Sequence, residues 1–142
     1  MTRYLGVDYG TKRVGLAISD GLGLTARPLE VVPRDIVVER VRELDEEYKI
    51  KMVIVGLPTG LSGEEGVSAV GARTLGRELL AATGIPVDYL DERFTSKLAE
   101  DVLLQSGMKR RQRRETVDKV AAAIILQDYL DVRVADGNHK TG

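Results

Sequence analysis

Val7-Asp8-Tyr9-Gly10-Thr11-Lys12-Arg13-Val14-Gly15-Leu16-Ala17-Ile18-Ser19-Asp20 decides the fold, because a carboxylate closes one apolar run there and a glycine turn opens the next. Tyr4 to Val7 and Val14 to Ile18 are short and rich in Val, Ile and Leu, and Gly10, Thr11 and Lys12 supply turn chemistry between them. Two antiparallel strands with a short connection follow, with Asp8 at the mouth of the hairpin. A carboxylate in an apolar strand is expensive to bury without a cation or a set of donors facing it. Gly10, two residues on, lets backbone or ligand approach it closely. Three roles fit these residues: a metal-binding nuclease carboxylate, part of an ATPase phosphate loop, or a plain turn cap.

Outward from the hairpin, Leu24 to Val32 reads as a third strand that Pro28 pushes toward an edge or a bulge and Pro33 ends. Val37, Val41, Leu44 and Tyr48 recur at helical spacing, with Glu39, Arg40, Arg42, Glu43 and Glu46 on the other face. Met52 to Val55, closed by Gly56-Leu57-Pro58, reads as a buried, central, parallel strand. Ser62 and Glu65 have the spacing of a capping box, and Ala72, Leu75, Leu79 and Ala82 form the stripe of the helix they would open, which Gly84 and Pro86 stop. Pro86 to Leu90 is a further strand, delivering the chain to Asp91-Glu92-Arg93. Alternation along a strand keeps Asp91 and Glu92 from entering one site together. Thr95 or Ser96 caps a helix running to about Gln105, with Gly107 as its terminator. Val117 to Val132 is apolar almost all round and reads as a buried helix carrying Asp118 in its first turns. The order gives an α/β fold, a mixed sheet with helices on both faces; it does not fix the strand arrangement, for which a five-stranded sheet, an antiparallel three-stranded meander plus two parallel strands, is the expectation.

The chain has 142 residues, 43% of them hydrophobic, enough for one domain with its own core. That domain is expected over residues 1–133, with 134–142 as a flexible tail. No apolar run is long enough to span a bilayer and no signal-like stretch opens the chain, so a cytoplasmic protein without a membrane partner is expected. Cysteine is absent, which excludes thiolate chemistry, and the one histidine, His139, lies in the polar C-terminal stretch. Any metal must therefore be held by oxygen. The net charge is only −1, yet five of the six residues from Lys109 to Arg114 are basic, and removing those five charges leaves −6. Such a distribution joins a concentrated phosphate-binding patch to an acidic site elsewhere.

The acidic site follows from strand ends. Ligands of open sheets with parallel strands sit beyond the carboxyl ends of those strands, and Asp8 and Glu92 each follow an apolar strand run. If the last helix crosses that edge, Asp118 becomes a third oxygen ligand, and three acids of this kind suit Mg²⁺ or Mn²⁺. Two such ions activate a water and stabilise the leaving oxygen of a phosphodiester. Lys12 and Arg13 beside Asp8, and Arg93 beside Glu92, are candidates to hold phosphate, together with Lys109, Arg110, Arg111, Arg113 and Arg114. Each also has a bland reading: a hairpin tip, a structural ion pair, a solvated face, or, for Arg114, a partner of Asp118 one helical turn away.

The pattern Gly6-x-Asp8-x-Gly10-x-x-Arg13-x-Gly15-x-Ala17-x-Ser19-Asp20, then Gly56-Leu57-Pro58, Asp91-Glu92-Arg93-x-Thr95-Ser96 and Asp118-x-x-Ala121-Ala122-x-x-Ile125-Leu126, resembles the YqgF/RuvX family over nearly the whole chain. The resemblance implies a ribonuclease-H-like fold related to the Holliday junction resolvase RuvC. It also implies an endonuclease acting on precursor 16S rRNA or on branched DNA, with Asp8, Glu92 and Asp118 as catalytic acids. A homodimer is implied only if a junction is cut symmetrically. One departure stands out: the related resolvases have an acid after their fourth strand, where this chain has Gly56-Leu57-Pro58, so Glu92 must substitute from the next strand. Asp20 and Asp91 are the nearest fourth acids, with turn and capping roles favoured for both. Two rivals remain: an actin- or heat-shock-like ATP-binding domain, which needs a second domain this length does not allow, and a non-catalytic nucleic-acid-binding module, which has no use for three retained acids.

Overall fold

The computed structural model describes residues 2–58, 67–92 and 110–141. In chain order these form β1 (Arg3–Asp8), β2 (Arg13–Ser19), β3 (Ala26–Pro33), a 3-10 turn (Arg34–Ile36), α1 (Val37–Tyr48), β4 (Ile50–Pro58), α2 (Val67–Thr83), β5 (Val87–Glu92) and α3 (Arg110–Thr141). The sheet order is β3-β2-β1-β4-β5, with β1 to β3 an antiparallel meander and β4 parallel to both β1 and β5. The carboxyl ends of β1, β4 and β5 therefore open on one edge, as the sequence predicts. The expected capping box at Ser62 and Glu65, the helix opened by Thr95 or Ser96, and Arg93 and Lys109 lie outside the described residues.

Strand alternation divides the interior into two layers. On one side Leu5, Val7, Val14, Leu16, Ile18, Val53 and Val55 pack with the α1 stripe Val37, Val41 and Leu44 and with Ala72, Leu75 and Leu79 of α2. On the other side Tyr4, Ala17 and Ile54 receive Ala122, Ile125, Leu126 and Leu130 of α3. Pro28 meets both expectations made of it. β3 is an edge strand, and its pairing with β2 slips between Leu16 and Ala17, where Ala17 faces Pro28. Gly84, at φ +74°, ends α2 in the left-handed conformation that favours glycine.

Three expectations for the last helix need correction. It begins at Arg110, not Val117, so Arg110, Arg111, Arg113 and Arg114 belong to its first turns instead of preceding it. Arg, Gln and Glu are good helix formers without supplying an apolar stripe, which is why periodicity misses this start. At the other end the backbone stays helical to Thr141 across the stretch expected to be a tail. No proline interrupts it, and Gly137 is tolerated. The helix is also not buried all round among its described side chains: Ala121, Ala122, Ile125, Leu126 and Leu130 are buried, while Asp128, Asp131 and Val132 are exposed. No helix among the described residues is long and apolar enough to cross a membrane.

Tyr129 locks α3 to the far end of the sheet. Its hydroxyl donates to Asp88 Oδ2 at 3.1 Å beside the Met52 sulfur, and burial together with this bond pushes the phenol up to about 12 from 10.0. The folded value exceeds the unfolded one, so this contribution to stability is complete below pH 10 and is lost as pH rises toward 12. An ultraviolet titration of wild type minus Tyr129→Phe is expected to reveal a phenol ionising near 12. A difference curve centred at the ordinary tyrosine value would discard this coupling.

Candidate functional site

Three strand glycines bring α3 onto the sheet edge. A Cβ on Gly15 of β2 would strike the Asp118 carbonyl, one on Gly6 of β1 would lie 2.7 Å from the Ala122 carbonyl oxygen and 2.8 Å from Leu126 Cβ, and one on Gly56 of β4 would strike the Ile125 side chain. The helix thus crosses β2, β1 and β4 on a glycine track at a distance no larger residue permits. Asp8 pairs with Gly15 across the hairpin, so the backbone of Asp118 rides directly over that rung. The helix that sequence reasoning brought to this edge by condition is there, and the strand glycines were the missed signal.

At the departure after the fourth strand, the α3-facing side of Gly56 is occupied by the Ile125 side chain, which would have to shift to admit a larger residue. Glu92 ends β5 opposite Pro58, two places beyond Leu90, which packs in the α3 layer. It therefore shares strand parity with Leu90, while Asp91 has the other. With strands about 4.8 Å apart and a rise of about 3.3 Å per residue, the strand ends carrying Asp8 and Glu92 stand roughly 12 Å apart at the Cα atoms, on the same edge of the sheet.

Asp118 accepts a hydrogen bond from Arg13 Nε at 2.8 Å, an ion pair across 105 positions of sequence. The Arg13 side chain is 49% exposed and that of Asp118 22%. The described partner of Asp118 is therefore the arginine of the hairpin. Arg13 and Gly15 lie on the same face of β2, which is what lets the guanidinium reach α3. Lys12 is exposed at the hairpin tip, where its carbonyl accepts from Arg34 N at 2.9 Å. Gly10 does permit a close approach, but by the chain itself, since a Cβ there would strike the Arg13 carbonyl.

Tyr9 had no role in the sequence reading. Half-buried against the α1/α2 layer, it lies so close to Gly71 of α2 that any Cβ there would collide with its ring, and the Arg34 guanidinium stands 5.8 Å from its centroid. It anchors the backbone immediately after Asp8 from the face opposite α3. A glycine inside α2, next to its apolar stripe, was the available sign of such a close approach.

Asp20 takes the turn role favoured for it. Its Oδ1 accepts from Leu24 N at 2.8 Å and Thr25 N at 3.2 Å, and these backbone donors hold its carboxyl below the usual value. It belongs to the β2–β3 turn, at the opposite end of β2 from Arg13. Among the described residues no group of three His, Cys, Asp or Glu forms a metal-holding cluster. Asp8 and Asp118 nevertheless bring oxygen donors to one edge, and the guanidinium at Asp118 marks a position where positive charge is accommodated. Oxygen donors of this kind fit a hard divalent cation.

A family model described as RuvX, Holliday junction resolvase, matches residues 2–132. A protein of Lactococcus lactis subsp. lactis (strain IL1403), named "Putative pre-16S rRNA nuclease", is 44% identical over 134 residues, covering 91% of this chain and 94% of its own. A protein of the same name from Sulfurihydrogenibium sp. (strain YO3AOP1) is 43% identical over 146 residues, covering 99% and 97%. Among solved structures, RuvC of T. thermophilus in complex with a Holliday junction substrate aligns with a TM-score of 0.56 at 21% identity, over 94% of this chain and 96% of that one. This last likeness is one of fold, and it agrees with the ribonuclease-H-like architecture expected from the sequence.

Proposed function

The chain belongs to the RuvX family, and from that membership we propose that it is a metal-dependent endonuclease hydrolysing phosphodiester bonds in structured nucleic acid. Its substrate is either the 5′ region of precursor 16S rRNA or branched DNA. The observation that carries this reading is the edge itself: Asp8 at the end of β1, Asp118 riding over the Asp8–Gly15 rung, and Glu92 at the end of β5. With no cysteine and one histidine, near the C-terminus, carboxylates are the groups available for the chemistry. Asp8, Glu92 and Asp118 would hold Mg²⁺ or Mn²⁺. Bound there, the cations supply an activated water and charge stabilisation at the leaving oxygen. Asp8 and Asp118 contribute fixed negative charge held by β1 and α3, and Lys12, Arg13 and Arg93 lie beside the acids in sequence to receive the phosphate on either side of the cut.

The basic helix start supports a polyanionic substrate. Cations in the first turns of a helix oppose its macrodipole, so Arg110, Arg111, Arg113 and Arg114 are not there for the helix's own stability. Neutralising them together with Lys109 is expected to weaken binding across sequences and to flatten its salt dependence, each lost contact removing roughly 0.9 from the logarithmic slope on duplex DNA. Apparent KM should rise more than kcat falls, with Arg114 varied separately because it lies one turn before Asp118. Affinities measured at several salt concentrations decide this, and an unchanged slope would move the phosphate-binding surface to Lys12, Arg13 and Arg93.

The relatives' names favour precursor rRNA, and the family description favours a junction, for which symmetric cutting calls for two sites and hence a homodimer. A cleavage panel with Mg²⁺, Mn²⁺, Ca²⁺ and EDTA, on four-way junction, duplex, single-stranded DNA and precursor rRNA, separates the two. Binding without cleavage under every condition would favour a non-catalytic nucleic-acid module instead.

A further inference from the structure

The contact between Arg13 and Asp118 occupies an atom that the proposed chemistry needs. Arg13 Nε stands 2.8 Å from Asp118 Oδ2, so the guanidinium takes up part of the acceptor capacity that a divalent cation would use. A guanidinium and a cation at one carboxylate also repel each other. Both cannot hold that oxygen at full strength.

The pair is built to open. With the arginine 49% exposed, water and salt screen the attraction, and such a pair is weak and reversible. Arg13 sits at the very start of β2, next to the exposed Lys12 and ahead of the buried residues from Val14 onward, so its side chain is half-exposed at the hairpin end of the strand. Asp118, by contrast, belongs to a helix whose backbone is fixed against Gly15, so the arginine is the partner that moves.

We propose that Arg13 is a positioning residue that holds the Asp118 carboxylate in the cation-free protein and is displaced when a divalent cation takes that carboxylate, so that the pair sets the cation affinity of the edge. The inference rests on the reading of Asp118 as a metal ligand. It gives Arg13 two successive roles: it compensates charge at Asp118 before loading, and it is released on the hairpin side, beside Lys12, as loading occurs. Removing the guanidinium should therefore strengthen cation binding, the opposite of what a purely structural support of Asp118 would do.

The test is Mn²⁺ titration of the full chain without nucleic acid, following free aqueous Mn²⁺ by electron paramagnetic resonance, with circular dichroism to verify folding. Arg13→Gln is expected to bind Mn²⁺ about two- to fivefold more tightly than wild type, the order expected when an exposed ion pair stops competing. Arg13→Lys should fall between them, because an ammonium is a point charge without the guanidinium's planar fork. It serves as the deciding variant if Arg13→Gln does not fold. Raising ionic strength should narrow the gap, since only wild type has the pair to screen. Equal or weaker Mn²⁺ binding by the folded arginine variants overturns the proposal. Asp8→Asn and Asp118→Asn distinguish the levels of failure. If they bind more weakly than wild type while Arg13→Gln is unchanged, the latch alone falls; if they bind as tightly as wild type, the metal-site reading falls and the latch with it.

Discussion

Asp8→Asn is expected to lower the rate of cleavage by more than about a hundredfold, beyond the loss typical of a residue that only supports a metal ligand. Fold and most of the nucleic-acid affinity should remain. Asparagine retains the shape that fits beside Gly15 and ahead of Tyr9, so the strand register and the Tyr9 anchor on Gly71 are undisturbed. What disappears is one negative charge at the end of β1, where the proposed chemistry requires an anionic oxygen. On the proposed reading the basic start of α3 carries most of the binding, so a gel-shift titration should move little while turnover collapses. Wild-type turnover by this variant, purified free of contaminating nuclease, would sink the assignment of the edge as a metal site.

A single methyl group at Gly15 produces the second large effect. Gly15→Ala directs a Cβ at the carbonyl of Asp118 and within 2.8 Å of Lys119 N, and both are backbone atoms of a packed helix that cannot rotate aside. The helix must lift, at an overpacking cost of about 1–3 kcal/mol. Lifting also moves Asp118 away from Asp8 and Arg13, so activity should fall together with stability. Gly84→Ala is the control. It lies at φ +74° with no atom within 4 Å of its would-be Cβ, so it should lose only about 1 kcal/mol from left-handed strain and keep its activity. Urea denaturation and cleavage assays on both variants distinguish the two effects. If Gly15→Ala matched Gly84→Ala in both assays, the glycine track would not be what holds Asp118 over the hairpin.

Much of this was legible in the sequence, and for a local reason. Alternation around Asp8, the stripe Val37, Val41, Leu44, the apolar run from Met52 and the stop at Gly84 are patterns written within a few residues, and each became the expected element. The position of Asp8 and Glu92 at strand ends followed from where apolar runs stop. The start of α3 was misread because arginines form helix without an apolar stripe, leaving nothing periodic to detect.

The sequence by itself determined the element types, the two-layered packing and the acids that could lie at one edge. Only the tertiary structure decided how α3 reaches that edge, that Ile125 fills the space over Gly56, and that Asp118 is held by Arg13 from 105 positions away. The physical reason is that a glycine's meaning lies in the atom that approaches it. Gly6, Gly15 and Gly56 look alike as strand interruptions, yet they form one track only because three neighbouring strands bring them beneath the same helix.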